Sequence, residues 1–292
     1  MDEVCLACGG RRWRSADELQ RVVRSRFPGV NLYRCCRCDM GQVRPLPSAT
    51  AIADIYRDPR YASEYAAAGQ TYVLDPEHAR LAIQQRLLKL DRLLGSPGSL
   101  LDIGAARGVF LAAAREAGWR VTGLETDPSA LEEASARYGL WLQQQSLEES
   151  DFAEESFDCV HLSHVLEHLR SPREALMRIR PWLRRDGILA LEVPYEFGDL
   201  FECFQRCVLG KPRLPYAVAS PHLYFFTIAS LQWLLRGCGY EIVALGTLRR
   251  NAVDDSRYLG GRWLKRLLYW VEQRCRWGPL IEVYARPKLS RG

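Results

Sequence analysis

The centre of the chain alternates short apolar runs with segments of helical periodicity. Ser99–Ile103, Trp119–Leu124 and Phe157–Leu162 are rich in apolar residues and predict strands that are buried on both faces. Val109–Glu116 and Ser129–Tyr138 repeat their apolar residues at helical spacing. Strands that alternate with helices in this way predict an α/β fold with a mostly parallel sheet.

The same alternation continues on both sides of this central stretch. An amphipathic helix is predicted before it, at Pro76–Leu94. The segment from Gly95 to Gly98, which contains two glycines and a proline, ends this helix. The other predicted elements, in chain order, are a strand at Trp141–Gln144, a helix at Pro172–Leu183, a strand at Gly187–Pro194, a helix at Thr227–Arg236, and strands at Tyr240–Leu245 and Leu280–Ala285. The sequence therefore predicts seven strands, of which the last pairs antiparallel.

The turn after the first of these strands has the spacing D-x-G-x-A-x-G, from Asp102 to Gly108. Gly104 allows a sharp turn of the backbone, and Gly108 allows a helix and a ligand to approach closely. The spacing is not the G-x-G-x-x-G of dinucleotide-binding proteins, which disfavours a nicotinamide oxidoreductase. A carboxylate at the strand end suits a cofactor that carries positive charge better than one that carries phosphates. Glu125 ends the next strand, where an acid can accept the hydroxyls of a ribose.

Four motifs in this order resemble those of class I S-adenosylmethionine-dependent methyltransferases. They are LLDIGAARGVF, VTGLETDPSALEEA, SFDCVHLSHVLEHL and LRRDGILALEVP, and the resemblance spans roughly residues 75–245. It implies a Rossmann-like sheet of seven mostly parallel strands, with S-adenosylmethionine as the cofactor. Ala106 departs from the pattern, because the family usually has glycine there.

The resemblance also implies roles for individual residues. Asp102 and Gly104 are expected to hold the amino-acid end of the cofactor, and Glu125 is expected to hold its ribose. Ser146 and Leu147 would border the adenine, although the family often has aspartate where this chain has Ser146. The whole set of expected cofactor-binding residues is Tyr61, Tyr65, Asp102, Gly104, Ala105, Ala106, Gly108, Glu125, Thr126, Ser146, Leu147, Ser163 and His164.

Histidines supply the candidates for acid–base chemistry. The string from His164 to His168 reads H-x-x-E-H, which is also a zinc-peptidase signature, but its place just past a strand argues against that interpretation. The resemblance places His168 towards the acceptor and matches His222 to the histidine of an H-x-x-F-F element. In related sugar C-methyltransferases a glutamate precedes that histidine, whereas this chain has Pro221. Oxygen or nitrogen methylation is therefore favoured, with His222 as the preferred base and His168 as the second choice.

The acceptor is expected to be a sugar, a nucleotide sugar or another polar small metabolite. This expectation comes from the N-terminal region, which is similar to that of methyltransferases of sugar and polysaccharide pathways. The alternative is an RNA methyltransferase that grips phosphates through arginines and a zinc ribbon. That alternative is less favoured, because residues 1–47 show no interleaved stripe of aromatic and basic residues.

Two cysteine pairs, Cys5-x-x-Cys8 and Cys35-x-x-Cys38, predict a small N-terminal zinc ribbon over residues 1–47. Four thiolates around one Zn²⁺ leave no open position for chemistry, so the predicted metal has a structural role. Cys36 is a spare thiol, and Cys35 is preferred to it because it completes the x-x spacing.

Composition limits the class of protein. The chain has 292 residues, 48% of them hydrophobic and 26% charged, and a formal net charge of +5, which together indicate a globular protein. The start of the chain lacks the features of a signal peptide and no apolar run is long enough to span a membrane, so the cytoplasm is the expected location. We expect residues 48–75 to link the ribbon to a methyltransferase domain at 76–292. That domain would carry an aromatic lid at 195–226 and a basic helical insert at 250–279, and an oligomer is possible.

Overall fold

The fold was analysed in a computed structural model, which describes residues 4–57, 76–198, 200, 203, 207, 221–248, 267, 270–272 and 274–288. The chain divides into two compact units. The first comprises residues 1–78, 194–233 and 246–281, and the second comprises 79–193, 234–245 and 282–292. The first unit thus combines the cysteine-rich segment with later segments that the sequence assigned to the larger domain. Tyr61 and Tyr65 lie outside the described residues, as do most of the predicted insert and the middle of the predicted lid.

In chain order, the strands and helices are β1 (Trp13–Ser15), α1 (Asp17–Arg26), β2 (Asn31–Cys35), β3 (Gly41–Arg44), α2 (Ala49–Arg57), α3 (Pro76–Leu94), β4 (Ser99–Ile103), α4 (Val109–Glu116), β5 (Arg120–Glu125), α5 (Pro128–Tyr138), β6 (Gln143–Gln144), β7 (Phe157–Ser163), α6 (Pro172–Ile179), β8 (Leu183–Pro194), β9 (Tyr224–Phe225), α7 (Ile228–Gly237), β10 (Tyr240–Leu248) and β11 (Leu280–Pro287).

A four-stranded antiparallel sheet organises the first unit. Its strand order is β1-β2-β3-β9, so a strand from the end of the predicted lid joins three strands of the cysteine-rich segment. Gly41 lies opposite Phe225 in this pairing, and a Cβ at Gly41 would come within 2.7 Å of the Phe225 Cβ. Glycine is therefore required where the two strands meet.

The second unit is built on a seven-stranded sheet with the order β10-β11-β8-β7-β4-β5-β6. The pairs β4–β5, β4–β7, β5–β6 and β7–β8 are parallel. The last strand of the chain lies between β10 and β8, which gives the mixed, mostly parallel sheet of a Rossmann-like methyltransferase. The predicted fold class is therefore confirmed.

Local sequence explains where the helices of the second unit begin and end. Asp127 caps α5 by accepting a hydrogen bond from the backbone N–H of Ser129 at 2.9 Å, Pro128 occupies its first position, and Gly139 ends it in a left-handed conformation. The core beneath the helices is apolar, and Leu90, Leu100 and Leu111 belong to it with no exposed surface. This packing orders the ends of β4 and β5, which carry the candidate site.

Several predicted boundaries differ from those of the structure. β8 begins at Leu183 and not at Gly187, and β10 continues to Leu248 and does not end at Leu245. The helix predicted at Pro172–Leu183 ends at Ile179, because Pro181 cannot continue it; a short 3-10 turn follows, and β8 begins at Leu183. The strand predicted at Trp141–Gln144 is reduced to its last two residues, which pair with the end of β5 at the edge of the sheet. Trp141 is instead 89% exposed.

Candidate cofactor site and buried charge network

The loop between β4 and α4 has the backbone geometry of a close-approach turn. Gly104 and Gly108 both have positive φ, at 71° and 75°. A Cβ at Gly104 would lie 2.6 Å from the Cγ2 of Val165, so only glycine fits there. Ala106 also has a positive φ, of 47°, which is unfavourable for a residue with a side chain. The sequence departs from the family pattern at the very position where the backbone favours glycine.

Glu125 is held at the end of β5 by three backbone N–H groups. Its Oε2 accepts from the Ala106 N–H at 2.8 Å, and its Oε1 accepts from the Thr126 and Asp127 N–H groups at 2.7 and 3.0 Å. An ionised carboxylate offers about four acceptor positions, so these bonds leave capacity for a further donor. The side chain is thus fixed beside the loop.

Asp102 and the strands beside it contain a buried network of charged groups. The Asp102 Oδ1 lies 2.6 Å from Nδ1 of His161 on β7. The other ring nitrogen of His161 lies 2.8 Å from Nη1 of Arg86 on α3, and Arg86 also bonds Glu192 on β8. Asp102, His161, Arg86 and Glu192 are all less than 10% exposed. The Asp102 side chain is therefore held by protein groups within the sheet.

His164 follows β7 and lies between two buried carboxylates. Its Nδ1 is 3.5 Å from Oε1 of Glu167, and its Nε2 is 3.3 Å from Oε1 of Glu192. Burial opposes the imidazolium charge, but the two carboxylates outweigh it and raise the pKa of His164 to about 9. His164 has a φ of 56°, and its N–H donates to the Glu192 carbonyl at 2.9 Å. The residue is thus a charged, conformationally fixed group at the carboxyl end of the sheet.

His168 lies one turn further along the same loop. Its Nε2 is 3.9 Å from Oε1 of Glu167, and its backbone N–H donates to the Val165 carbonyl at 3.0 Å. The carboxylate of Glu167 thus contacts both histidines of the H-x-x-E-H string. His168 is thus connected to the loop through its backbone N–H and lies close to the Glu167 carboxylate.

The remaining predicted residues of the second unit have local partners of their own. The Ser146 hydroxyl donates to Oε2 of Glu149 at 2.9 Å, and the Ser163 hydroxyl donates to Oε1 of Glu192 at 3.2 Å. Leu147 is buried, with 3% of its surface exposed. Any adenine contact in this region would therefore have to come from backbone groups or from a rearranged Ser146.

His222 lies in the first unit and has a carboxylate partner that the sequence did not indicate. Its Nδ1 is 2.8 Å from Oε1 of Glu196, and both side chains are nearly buried, at 9% and 8% exposed. The segment that carries Glu196 is anchored on both sides, because the Tyr195 and Leu200 N–H groups donate to the carbonyls of Pro279 and Trp277. A glutamate–histidine pair is thus formed across 26 residues of sequence.

The four predicted cysteine ligands come together in the first unit. Cys5, Cys8, Cys35 and Cys38 are all buried, and their sulfur atoms lie within 4.8 Å of one another. The Cys5–Cys38 and Cys8–Cys35 sulfur pairs are each 3.6 Å apart. Four sulfurs bound tetrahedrally at about 2.3 Å from Zn²⁺ would be about 3.8 Å apart, so the cluster fits that ion. Cys36, the spare thiol, is exposed.

The surroundings of the cluster support such a site. A Cβ at Gly10 would come within 3.0 Å of the Cys35 sulfur and 3.3 Å of the Cys8 sulfur, so the backbone passes close to the thiols. The Arg37 N–H points to the Cys35 sulfur at 3.4 Å. Gly9 takes the left-handed position after the first pair, and Asp39, with a φ of 61°, takes it after the second.

Sequence reasoning missed the partners that come from distant parts of the chain. Arg86 is 75 residues from His161 and 106 from Glu192, and Glu196 is 26 residues from His222. A weak signal existed for the buried network, because polar residues interrupt apolar strands at His161 and Glu192 and the arginine lies in an amphipathic helix. The sheet order and the packing of α3 against the sheet bring them together.

Comparison with known proteins agrees with this geometry. The family described as "Methyltransferase domain" matches residues 76–245, so the chain belongs to the methyltransferase-domain family. The protein is an S-adenosylmethionine-dependent methyltransferase, as its fold class and sequence motifs predict. No curated protein sequence gives a significant match.

Solved structures with the same fold include three methyltransferases. The Burkholderia thailandensis 1,6-didemethyltoxoflavin-N1-methyltransferase, with bound 1,6-didemethyltoxoflavin and S-adenosylhomocysteine, is 21% identical with a TM-score of 0.57, over 90% of this chain and 97% of that one. The plantazolicin methyltransferase BpumL, in complex with S-adenosylhomocysteine, is 13% identical with a TM-score of 0.55, over 82% and 94%. A methyltransferase from Archaeoglobus fulgidus is 16% identical with a TM-score of 0.51, over 74% of this chain and 99% of that one.

Within the described residues, no helix is both long and apolar enough to cross a membrane.

Proposed function

We propose that this methyltransferase transfers a methyl group to an oxygen or nitrogen atom of a polar small molecule, most simply a sugar or a related metabolite. The observation that carries the proposal of a proton-accepting base is the hydrogen bond between His222 and Glu196. A carboxylate accepts hydrogen bonds, so Nδ1 of His222 carries the proton and Nε2 is the nitrogen that can take another. Hydroxyl and N–H acceptors lose a proton on methylation, and such a pair can remove it.

The second unit supplies the proposed cofactor site. S-adenosylmethionine brings a methyl group that is already activated on a sulfonium, so the protein's task is to hold and orient the reactants. We propose that Glu125 accepts the ribose hydroxyls and that Asp102 and Gly104 hold the amino-acid portion. The fixed carboxylate of Glu125 beside the loop supports this assignment. The other residues proposed to border the cofactor are Tyr61, Tyr65, Ala105, Ala106, Gly108, Thr126, Ser146, Leu147, Ser163 and His164.

Two considerations support a small polar acceptor. The zinc ribbon, linker and H-x-x-F-F element resemble those of sugar-pathway methyltransferases. The structure of the Burkholderia enzyme, which shares this fold, is of an N1-methyltransferase with 1,6-didemethyltoxoflavin bound. Both favour a metabolite, and Pro221, which stands directly before His222 where the related C-methyltransferases have glutamate, favours transfer to oxygen or nitrogen.

We further propose that Cys5, Cys8, Cys35 and Cys38 bind one structural Zn²⁺. The spacing of their buried sulfur atoms and the close backbone at Gly10 support this role. A closed set of four thiolates would stabilise a segment too small to fold on its own core.

The test is a methyl-transfer assay on purified protein with S-adenosylmethionine and a panel of sugars, nucleotide sugars and nitrogen heterocycles. Mass spectrometry would detect an acceptor that gains one methyl group. With that acceptor, His222→Gln should lower the turnover number by about 10²–10⁴-fold, the usual contribution of a general base. Glu196→Gln should lower it less and shift the pH profile. His168→Gln tests the second-choice base and should lower turnover less than His222→Gln.

Binding of S-adenosylhomocysteine should be unchanged in all three variants, which separates loss of the base from loss of the cofactor site. Full turnover in His222→Gln would contradict the assignment of the base. Failure of every oxygen and nitrogen acceptor, with transfer to a carbon atom or to RNA instead, would contradict the proposed function.

A further inference from the structure

His161 is a buried polar residue in the middle of a sheet, and it has no part in the proposed cofactor binding or proton transfer. It lies on β7 beside β4, opposite Asp102 in the parallel pairing, and is 2% exposed. Both of its ring nitrogens contact charged side chains: Nδ1 is 2.6 Å from Oδ1 of Asp102, and Nε2 is 2.8 Å from Nη1 of Arg86. The imidazole therefore bridges a carboxylate and a guanidinium.

These two partners fix the protonation state of the ring. An arginine can only donate hydrogen bonds, so Nε2 of His161 must accept and carries no proton. The single ring proton is then on Nδ1, from which it is donated to Asp102. His161 is thus neutral, in one tautomer, and Oδ1 of Asp102 is the acceptor.

Other contacts hold the bridge rigidly. Arg86 bonds Glu192 and lies 3.5 Å from Oε1 of Glu282, so its charge is balanced within the sheet. Phe110, in the first turn of α4, stacks on the imidazole with ring centroids 4.1 Å apart and planes inclined by 26°. His161 therefore contacts Asp102 at the end of the strand before the Gly104–Gly108 loop, and it also contacts Phe110 in the helix after that loop.

We propose that His161 is a positioning residue that orients the Asp102 carboxylate towards the amino-acid portion of the cofactor. This inference rests on the proposed cofactor site, in which Asp102 holds that portion. By occupying Oδ1 with an N–H donor that Arg86 holds in place, the imidazole sets the direction of the second carboxylate oxygen. The alternative is that His161 only fills the core, in which case its loss would affect every part of the cofactor equally.

Two ligands distinguish these roles. S-adenosylhomocysteine carries the amino-acid portion, whereas 5′-methylthioadenosine has the same nucleoside without it. His161→Phe keeps a ring to stack on Phe110 but removes both hydrogen bonds. His161→Asn keeps a donor close to the place of Nδ1 and is the conservative variant. Calorimetric titration of wild type and both variants with both ligands measures the effect on each portion of the cofactor.

We expect His161→Phe to weaken S-adenosylhomocysteine binding by about tenfold or more, the loss that follows removal of a hydrogen bond to a charged group. Binding of 5′-methylthioadenosine should change by less than about twofold. His161→Asn should restore most of the affinity for S-adenosylhomocysteine. A Glu125→Gln control should weaken both ligands, because both contain the ribose. Thermal unfolding of each variant verifies that it is folded.

A nitrogen-15 spectrum of the histidine side chains gives a readout that does not depend on binding. The wild-type signals that disappear in His161→Phe belong to His161. They should show a proton on Nδ1 and none on Nε2. A charged ring or a proton on Nε2 would overturn the inference, as would equal weakening of both ligands in His161→Phe. If the folded wild type bound neither ligand, the proposed cofactor site itself would be refuted. If the wild type binds both ligands, the variants test only the positioning role of His161.

Discussion

Replacement of Ala106 by glycine should make the protein more stable. Ala106 is exposed and has a φ of 47°, a left-handed conformation in which a Cβ costs about 1–2 kcal/mol. Glycine removes this cost, but its greater freedom in the unfolded chain costs about 0.4–1 kcal/mol. The difference leaves a net stabilisation of about 0.8 kcal/mol. For a chain of this size that corresponds to a rise in melting temperature of about 2 °C.

Ala105→Gly is the matched control, one residue away. Ala105 is not among the left-handed residues of the described chain, and it belongs to the buried core with 6% of its surface exposed. Its replacement loses a buried methyl group and adds freedom to the unfolded chain, so the control should be destabilised by about 1 kcal/mol or more. Urea unfolding of the wild type and the two variants in parallel measures both changes.

The two variants should move in opposite directions from the wild type. S-adenosylhomocysteine should still bind to Ala106→Gly, because the loop contact to Glu125 comes from the backbone N–H and not from the side chain. A variant at Ala106 that is no more stable than the wild type would refute the claim that the loop backbone is strained at this residue.

Two further predictions concern metal binding and pH. Elemental analysis of the wild type should find one zinc per chain, and Cys35→Ser should abolish it. Cys36→Ser should retain the zinc, because this thiol is exposed and outside the cluster. Equal zinc content in both variants would exclude the proposed ligand set. Burial lowers the pKa of His164, but Glu167 and Glu192 outweigh this effect and raise it to about 9. The stabilisation of the fold by the imidazolium charge is therefore fully present below about pH 6.5, the pKa of the unfolded chain, and is lost as the pH rises through 9. The free energy of unfolding should therefore fall between those pH values, and His164→Gln should flatten that part of the profile; an unchanged slope in the variant would show that another group is responsible.

Much of the second unit could be predicted because its signals are local. The β4 strand, the following loop and α4 are contiguous in sequence, so apolar runs, glycine spacing and helical periodicity each identify one part of the structure. The boundaries that failed depend on non-local effects or on a single residue. β6 comprises only Gln143 and Gln144, which pair with Leu124 and Glu125 at the end of β5, and α6 is short because of Pro181.

The charged partners in the candidate sites could not be predicted in the same way. Arg86 and His161 meet only because α3 packs on the sheet next to β7, and no periodicity in the sequence specifies that contact. Glu196 likewise reaches His222 across 26 residues of the predicted lid, while the position directly before His222 holds Pro221. Spacing within one motif detects residues that one turn or one strand brings together, and it does not detect pairs formed by packing.

Isothermal titration of the purified protein with S-adenosylhomocysteine tests the central claim most directly. The site built on Glu125 and the Gly104–Gly108 loop predicts saturable binding of one ligand per chain, with a large loss of affinity in Glu125→Ala. Absence of binding to a folded, zinc-loaded protein would contradict the claim that this loop and carboxylate form a cofactor site, and so would unchanged affinity in Glu125→Ala.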